Sequence, residues 1–311
     1  MSAAVADAIE RLDTLAGERG VELRADVPLA PLTTLRVGGS ADRLATPATI
    51  DELVSVIGVA RDAGVPAFLL GKGSDIVVAD AGIRGLVVRV RADAATIDGT
   101  TLIAEAGASM TALAKRCAEA GLAGFDWAIS IPGSVGGAVW ANAGAHGGEM
   151  AQVVREVEVL GADGERARLR PEESAFAYRE SRFKHGHEII LGATIGLERG
   201  EPAAIRALVN AHQALRRTTQ PLADQNAGSV FRNPPDDHAG RLVEAAGLKG
   251  HRLGSARVSE LHANFIVTDR GGRAADVRAL GDHMRSTVAD RFGVELRYEI
   301  EFVGAWPEPS E

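Results

Sequence analysis

Tyr178, Arg179, Arg182 and Lys184 crowd into the segment AYRESRFK, where Pro171 upstream and several charges argue against a buried element. A guanidinium here can hold a carboxylate or stabilise an enolate through charge-assisted hydrogen bonds, unless the cluster is a solvated basic face. Ser229 sits in QNAGSVFRNPP, in a Gly-Ser turn beside an apolar pair and ahead of Arg232 and Asn233. Such a turn can present a hydroxyl, or the serine can bond its own backbone. No G-x-S-x-G pattern surrounds it, so a hydrolase nucleophile is not indicated. VELRYEIEFV alternates, with Val294, Leu296, Tyr298, Ile300 and Phe302 on one face and Glu295, Arg297, Glu299 and Glu301 on the other. One of those carboxylates can face a cleft, and alternation does not say which.

Glycine supplies the second kind of signal. IPGSVGGAVWANAGAHGG gathers Gly133, Gly136, Gly137, Gly144, Gly147 and Gly148 among small side chains and Asn142. A backbone without Cβ atoms can press its N–H groups against a phosphate or ring edge, although a long irregular loop has the same composition. GKGSD, from Gly71 to Asp75, lies between two strand-like runs and opens no helix, so it is neither the dinucleotide fingerprint nor a P-loop. His185 and His187 alternate in HGH with no third histidine at ligand spacing and no HExxH, so no metal site is expected.

These segments need elements to hold them. An amphipathic helix over residues 1 to 20 is expected to bury Val5, Ile9 and Leu12, with an extended arm to Thr34. Thr49 and Glu52 have capping-box spacing ahead of Leu53, Val56, Ile57 and Ala60, and Gly64 with Pro66 stops that helix. AFLLGKGSDIVV reads as strand, glycine turn, strand; GLVVRV as a buried strand; and Asp98-Gly99 as a hairpin turn. Ser109 caps a helix that places Leu113, Cys117 and Ala120 on one stripe, which makes Cys117 a small core residue. REVEVLGADGERARLR is a further hairpin and EIILGATIGL a further strand. Helices then run from Pro202 to Arg217, around Leu242 to Ala246, and from Val277 to Phe292, with Val277, Leu280, Met284 and Val288 at helical spacing.

The 311 residues suffice for more than one domain and a buried cofactor. A formal net charge of −8 gives no reason to expect nucleic acid or an anionic membrane as partner. The single cysteine excludes an intrachain disulfide framework and fits a reducing cytoplasm. The N-terminal residues show no signal-peptide pattern, and no apolar run is long enough to span a bilayer.

Taken in order, TTLRVGG, LGKGSDIVV, GIRGLVV, FDWAISIPGSVGGAVWANAGAHGGEM, FAYRESRFK, QPLADQNAGSVFRNPP, AGRLVEAAGLKG, VSELHANFIV and EIEFVG resemble the UDP-N-acetylenolpyruvoylglucosamine reductase family, in its shorter class. The resemblance implies an α+β chain: a two-subdomain FAD-binding fold of the vanillyl-alcohol-oxidase type plus a C-terminal α+β substrate-binding domain. It divides the sequence into a first FAD-binding subdomain at 1–80, to which 298–311 return, a second at 81–200, and the substrate domain at 201–297.

It also implies non-covalent FAD, NADPH as hydride donor, and a UDP-sugar whose enolpyruvyl ether is reduced to a lactyl ether, giving UDP-N-acetylmuramate for peptidoglycan. The implied FAD contacts are Gly71, Gly73, Ser74, Asp75, Pro132, Gly133, Ser134, Gly136, Gly137, Asn142 and Gly144. In the matching motifs Arg179 holds the carboxylate and stabilises the enolate, Ser229 donates the proton, and Glu299, chosen over Glu301 by its spacing to Val303 and Gly304, assists. Tyr178, Arg216, Arg217, Gln220, Arg232 and Asn233 are the implied substrate contacts, and a monomer or weak homodimer is expected. Lys72, Asp75, Ser130, His146 and Thr268 depart from the usual pattern, His146 standing where an aromatic is frequent.

Overall fold

The computed structural model describes residues 3–307, with side chains from residue 6 onward; the expected burial of Val5 and the tail beyond Pro307 lie outside the described residues. The chain forms two compact units, one of Met1–Arg24, Leu44–Lys72 and Gly85–Leu215, the other of Ala25–Arg43, Gly73–Arg84 and Arg216–Glu311.

The first unit has a helical end and a sheet end. Helix Ala3–Glu18 turns Ile9, Leu12 and Ala16 toward Leu53, Val56, Ile57 and Ala60 of helix Ile50–Ala63. Thr49 starts the second helix as its spacing predicts: its side chain accepts from the Glu52 N–H at 3.2 Å, while Glu52 Oε2 accepts from the Ala48 N–H at 2.7 Å. Gly64 ends it in the left-handed conformation. Beneath lies strand Ala67–Leu70, paired in parallel with Leu86 to Arg89.

At the other end an antiparallel sheet runs in the order Arg166–Leu169, Val154–Leu160, Ile189–Gly196, Thr101–Glu105, Ala95–Asp98. The Asp98-Gly99 hairpin is present, with Asp98 opposite Thr101 and Gly99 at φ +59°. Helix Met110–Glu119 packs Leu113 and Cys117 into this core, joined by Ile205 and Val209 of helix Pro202–Thr219. Cys117 is 1% exposed, and burial pushes its thiol up to about 11, the nearby Arg116 pulling weakly the other way.

The second unit holds a small antiparallel sheet, in the order Gln225–Asn226, Ile266–Thr268, Ala256–Val258, Arg252–Leu253, under helices Ala239–Ala245 and Ala274–Phe292. Val277, Leu280, Met284 and Val288 are buried as their spacing requires. Two readings change in detail. AFLLGKGSDIVV does form two strands, yet they join different sheets: Ile76–Val78 pairs in parallel with Glu301–Val303. VELRYEIEFV is regular only over Glu301–Val303, but its alternation survives in burial, with Leu296 and Ile300 in the core and Val294, Tyr298 and Phe302 packed against it. Among the described residues no helix is long and apolar enough to cross a membrane.

Candidate functional site

The glycine-rich stretch is a folded scaffold. After Pro132, the Gly133 carbonyl accepts from the Met110 N–H, and Ser134 stands at the N-cap position of the short helix Val135–Trp140 without a side-chain capping bond. The N–H groups of Val135 and Gly136 donate to Ala108 and Ala106, and a Cβ on Gly136 would stand 3.0 Å from Ala106 Cβ. Gly136 is therefore a glycine for close packing. Gly144 has a similar reason, since its Cβ would meet the Gly148 carbonyl at 2.5 Å within a tight two-stranded turn.

Gly71 and Gly137 are different. A Cβ on Gly71 would lie 2.5 Å from Ser134 Oγ, and one on Gly137 would meet only that same oxygen, at 3.7 Å. Ser134, 4% exposed, is thus flanked by two backbone stretches stripped of side chains. Gly71 makes room for the Ser134 hydroxyl, whereas that hydroxyl alone stands near Gly137, where a phosphate or ring edge can approach the backbone. In the second unit, Gly73 adopts φ +62° where a Cβ would strike the Leu32 carbonyl at 2.7 Å; Ser74 follows, and the Asp75 carbonyl accepts from the Glu301 N–H.

Asn142 lies deep in this stretch. It is fully buried at φ +43°, its Nδ2 donates to the Ala177 carbonyl and its Oδ1 accepts from the Ala151 N–H, each at 2.9 Å. Those bonds engage both ends of the amide, so Asn142 ties the glycine stretch to the AYRESRFK segment.

That segment turns at Tyr178-Arg179. Ala177 and Glu180 exchange backbone hydrogen bonds at 3.0 Å across the turn, which leaves Arg179 at φ +56°. A non-glycine residue in the left-handed region is strained, and strain of this kind gathers at functional positions. The Arg179 guanidinium donates from Nη2 to the Gly144 carbonyl at 2.8 Å and lies 5.1 Å from the centre of the half-exposed Tyr178 ring. Arg182 pairs with Glu188, and Lys184 stands 4.2 Å over Trp140, so these cations serve the local structure.

Ser229 and Glu299 come together in the second unit. Asn226 closes a turn by accepting the Gly228 N–H at 3.0 Å, and Gly228 takes φ +78°. Beyond Ser229 the chain is extended: the Glu299 N–H donates to the Val230 carbonyl at 2.9 Å and the Arg232 N–H to the Arg297 carbonyl at 2.9 Å, around the bridge Phe231 to Tyr298. Tyr298 stacks on Phe231 at 5.1 Å and donates to Asp282 at 2.8 Å; burial, then Asp282, raises its phenol well above the usual range. With Tyr298 and Ile300 committed to the core, Glu299 takes the opposite face, beside the Ser229 segment. Glu301 pairs instead with Ile76.

The remaining candidates are placed as follows. Arg216 Nε donates to Gln220 Oε1 at 2.8 Å, and burial draws its guanidinium below the ordinary value. Arg217 and Asn233 are exposed and Arg232 partly so; Asn233 Oδ1 accepts from the Ala239 N–H at 3.1 Å, at the start of helix Ala239–Ala245. Sequence reasoning missed a ring cluster in the first unit. His146 stacks on His212 at 3.9 Å, Ser130 Oγ lies 2.8 Å from His146 Nε2, and Asp126 lies 3.0 Å from His212 Nε2. The signal was the histidine in an aromatic's place; its partner lies too far along the chain to be inferred.

Comparison with known proteins agrees with this architecture. An FAD binding domain family matches residues 41–170, and the family described as UDP-N-acetylenolpyruvoylglucosamine reductase, C-terminal domain, matches residues 220–303. UDP-N-acetylenolpyruvoylglucosamine reductase 2 of Symbiobacterium thermophilum is 45% identical over 300 residues, covering 96% of this chain and 97% of its own. The Bacillus subtilis reductase is 38% identical over 283 residues, 90% and 93% of the two chains. The crystal structure of the Thermus caldophilus reductase superposes with a TM-score of 0.77 at 35% identity, covering 92% of this chain and 99% of that one. With two domain families matched and near-complete coverage of such relatives, this chain belongs to the UDP-N-acetylenolpyruvoylglucosamine reductase family.

Proposed function

We propose that this chain catalyses the NADPH-dependent, FAD-mediated reduction of UDP-N-acetylglucosamine enolpyruvate to UDP-N-acetylmuramate, a step of peptidoglycan precursor synthesis. The observation that carries the assignment of roles is the pairing of the Val230 carbonyl with the Glu299 N–H, which sets a hydroxyl and a carboxylate on adjoining extended segments. In the first unit the bare backbone at Gly71 and Gly137 beside Ser134 supports assigning these residues, with Pro132 and Gly133, to the cofactor; Gly73, Ser74 and Asp75 are assigned to it from their motif. Bound FAD supplies hydride transfer from NADPH to the enolpyruvyl group.

The chain's own residues handle charge and proton. Hydride gained at one carbon leaves enolate character on the next, and Arg179 holds the carboxylate on which that charge accumulates. Its left-handed turn and its bond to Gly144 fix the guanidinium before substrate arrives. Ser229 donates the proton that ends the reaction. A serine hydroxyl is a weak acid, so its donation needs support; Glu299, on the adjoining segment, is assigned that role. Arg216, Arg217, Gln220, Arg232, Asn233 and Tyr178 are assigned to the UDP-sugar.

The functional division follows the sequence reading: a flavin part of 1–80 with 298–311 returning to it, a second flavin part of 81–200, and a substrate part of 201–297. The return is supported by strand Glu301–Val303 lying parallel to Ile76–Val78. We infer action in the cytoplasm as a monomer or weak homodimer. The assay is NADPH consumption dependent on the enolpyruvyl sugar, with the product gaining two hydrogens by mass. NADPH oxidation that ignores that sugar and consumes oxygen instead overturns the assignment in favour of an oxidase.

A further inference from the structure

The extended segment that carries Ser229 is held on one edge by residues 297–299. Among the described residues its other edge has no regular strand beside it; one residue takes that place, with its side chain and its own carbonyl. Asn264, 3% exposed, donates from Nδ2 to the Phe231 carbonyl at 2.8 Å and accepts the Phe231 N–H on Oδ1 at 3.0 Å, while its own carbonyl accepts the Val230 N–H at 2.8 Å. The carboxamide reproduces the paired donor and acceptor of a neighbouring peptide. Phe231 is 1% exposed, so water cannot substitute.

Asn264 is itself anchored. Its N–H donates to His262 Nδ1 at 3.2 Å, strand Ile266–Thr268 begins two residues on, and a Cβ on Gly240 would lie 3.6 Å from its Cβ, which fixes it against helix Ala239–Ala245. Upstream, the Asn226 carbonyl accepts from Thr34 Oγ1 at 2.7 Å. Ser229 is therefore suspended between two fixed points, the Asn226 turn and the Asn264 clamp.

We propose that Asn264 is a positioning residue for the proton-transfer step: its carboxamide sets the register at which the Ser229 hydroxyl meets the substrate. The proposal rests on the reading of Ser229 as proton donor. Hydride transfer from NADPH to the flavin needs no proton from Ser229, so the clamp bears on only one half of the catalytic cycle. Asp at this position keeps the acceptor but loses the donor; Leu keeps the approximate shape and loses both.

The test follows both half-reactions of the FAD-loaded protein under anaerobic stopped flow, for Asn264→Asp, Asn264→Leu, Ser229→Ala and the double variant Asn264→Asp with Ser229→Ala. Flavin reduction by NADPH is expected to stay within about twofold in the Asn264 variants, while reoxidation by the enolpyruvyl sugar slows on the order of a hundredfold in Asn264→Leu and less in Asn264→Asp. The solvent deuterium effect on reoxidation rises, and the double variant is no slower than Ser229→Ala alone because one step is lost in both. Reoxidation within about threefold of the parent, a parallel fall of both half-reactions, or additive losses would each overturn the proposal.

Normal reoxidation in Ser229→Ala brings down the role of Ser229 itself, an outcome separate from any result at Asn264. Hydrogen exchange on the unmodified protein needs no variant to fold. The Val230 and Phe231 amides are expected to exchange as slowly as the core, and exchange at loop rates would refute the clamp.

Discussion

Replacing Arg179 by Ala and by Gly separates what this residue does for the fold from what it does for the reaction. Both variants lose the guanidinium, with its bond to Gly144 and its contact with Tyr178, so those losses cancel in the comparison. What remains is the backbone at φ +56°. A left-handed conformation costs an L-residue about 1–2 kcal/mol, and glycine escapes it. Glycine gives back about 0.5–1 kcal/mol in chain entropy, leaving Arg179→Gly the more stable of the two by about 1 kcal/mol. For a unit of this size that is a difference in Tm of about 2–4 °C. Catalysis is expected to ignore the distinction: without a cation for the developing enolate, substrate-driven flavin reoxidation falls by about 10² to 10³ in both. Thermal melts and anaerobic stopped flow check the two halves. Equal melting temperatures would refute the strained turn, and reoxidation within about tenfold of the parent in either variant would refute the role of Arg179.

Gly71→Ala pushes a methyl to 2.5 Å from Ser134 Oγ, so FAD affinity is expected to fall at least about tenfold, read by fluorescence titration of the apoprotein. Gly148→Ala drives a methyl to 2.1 Å from Trp127 Cδ1 and is expected to cost about 1–3 kcal/mol in denaturant titrations, with a change in tryptophan emission. Cys117, held protonated up to about 11, is expected to resist iodoacetamide at pH 8 until the protein unfolds; fast native labelling would show it is not buried. Its folded-state value is raised, so the stability it contributes is complete below the unfolded thiol's ordinary range and is lost as pH climbs toward about 11.

Local grammar was readable wherever a few neighbouring residues decide the outcome. Thr49 and Glu52 cap a helix, Asp98-Gly99 turns a hairpin, and Val277 through Val288 face a core, because each depends on spacing within one element. Partner choice was not readable. Nothing in AFLL or DIVV says that one strand will pair with Leu86 to Arg89 and the other with Glu301–Val303, since strand pairing is non-local. The motifs located Arg179, Ser229 and Glu299, yet the features that hold them stayed hidden. Asn142 and Asn264 look like ordinary loop polars in sequence; only the fold shows Asn142 linking Ala151 to the distant Ala177 and Asn264 spending its amide on the distant Phe231. The left-handed turn at Arg179 was invisible too, for no glycine or asparagine marks it.

The central claim is tested most directly by adding NADPH anaerobically to the FAD-loaded protein, then UDP-N-acetylglucosamine enolpyruvate, while following the visible flavin absorbance. Bleaching by NADPH, with recovery only when the enolpyruvyl sugar arrives, is the predicted result. Bleaching that this sugar fails to reverse, or no flavin signal at all, would contradict the assignment.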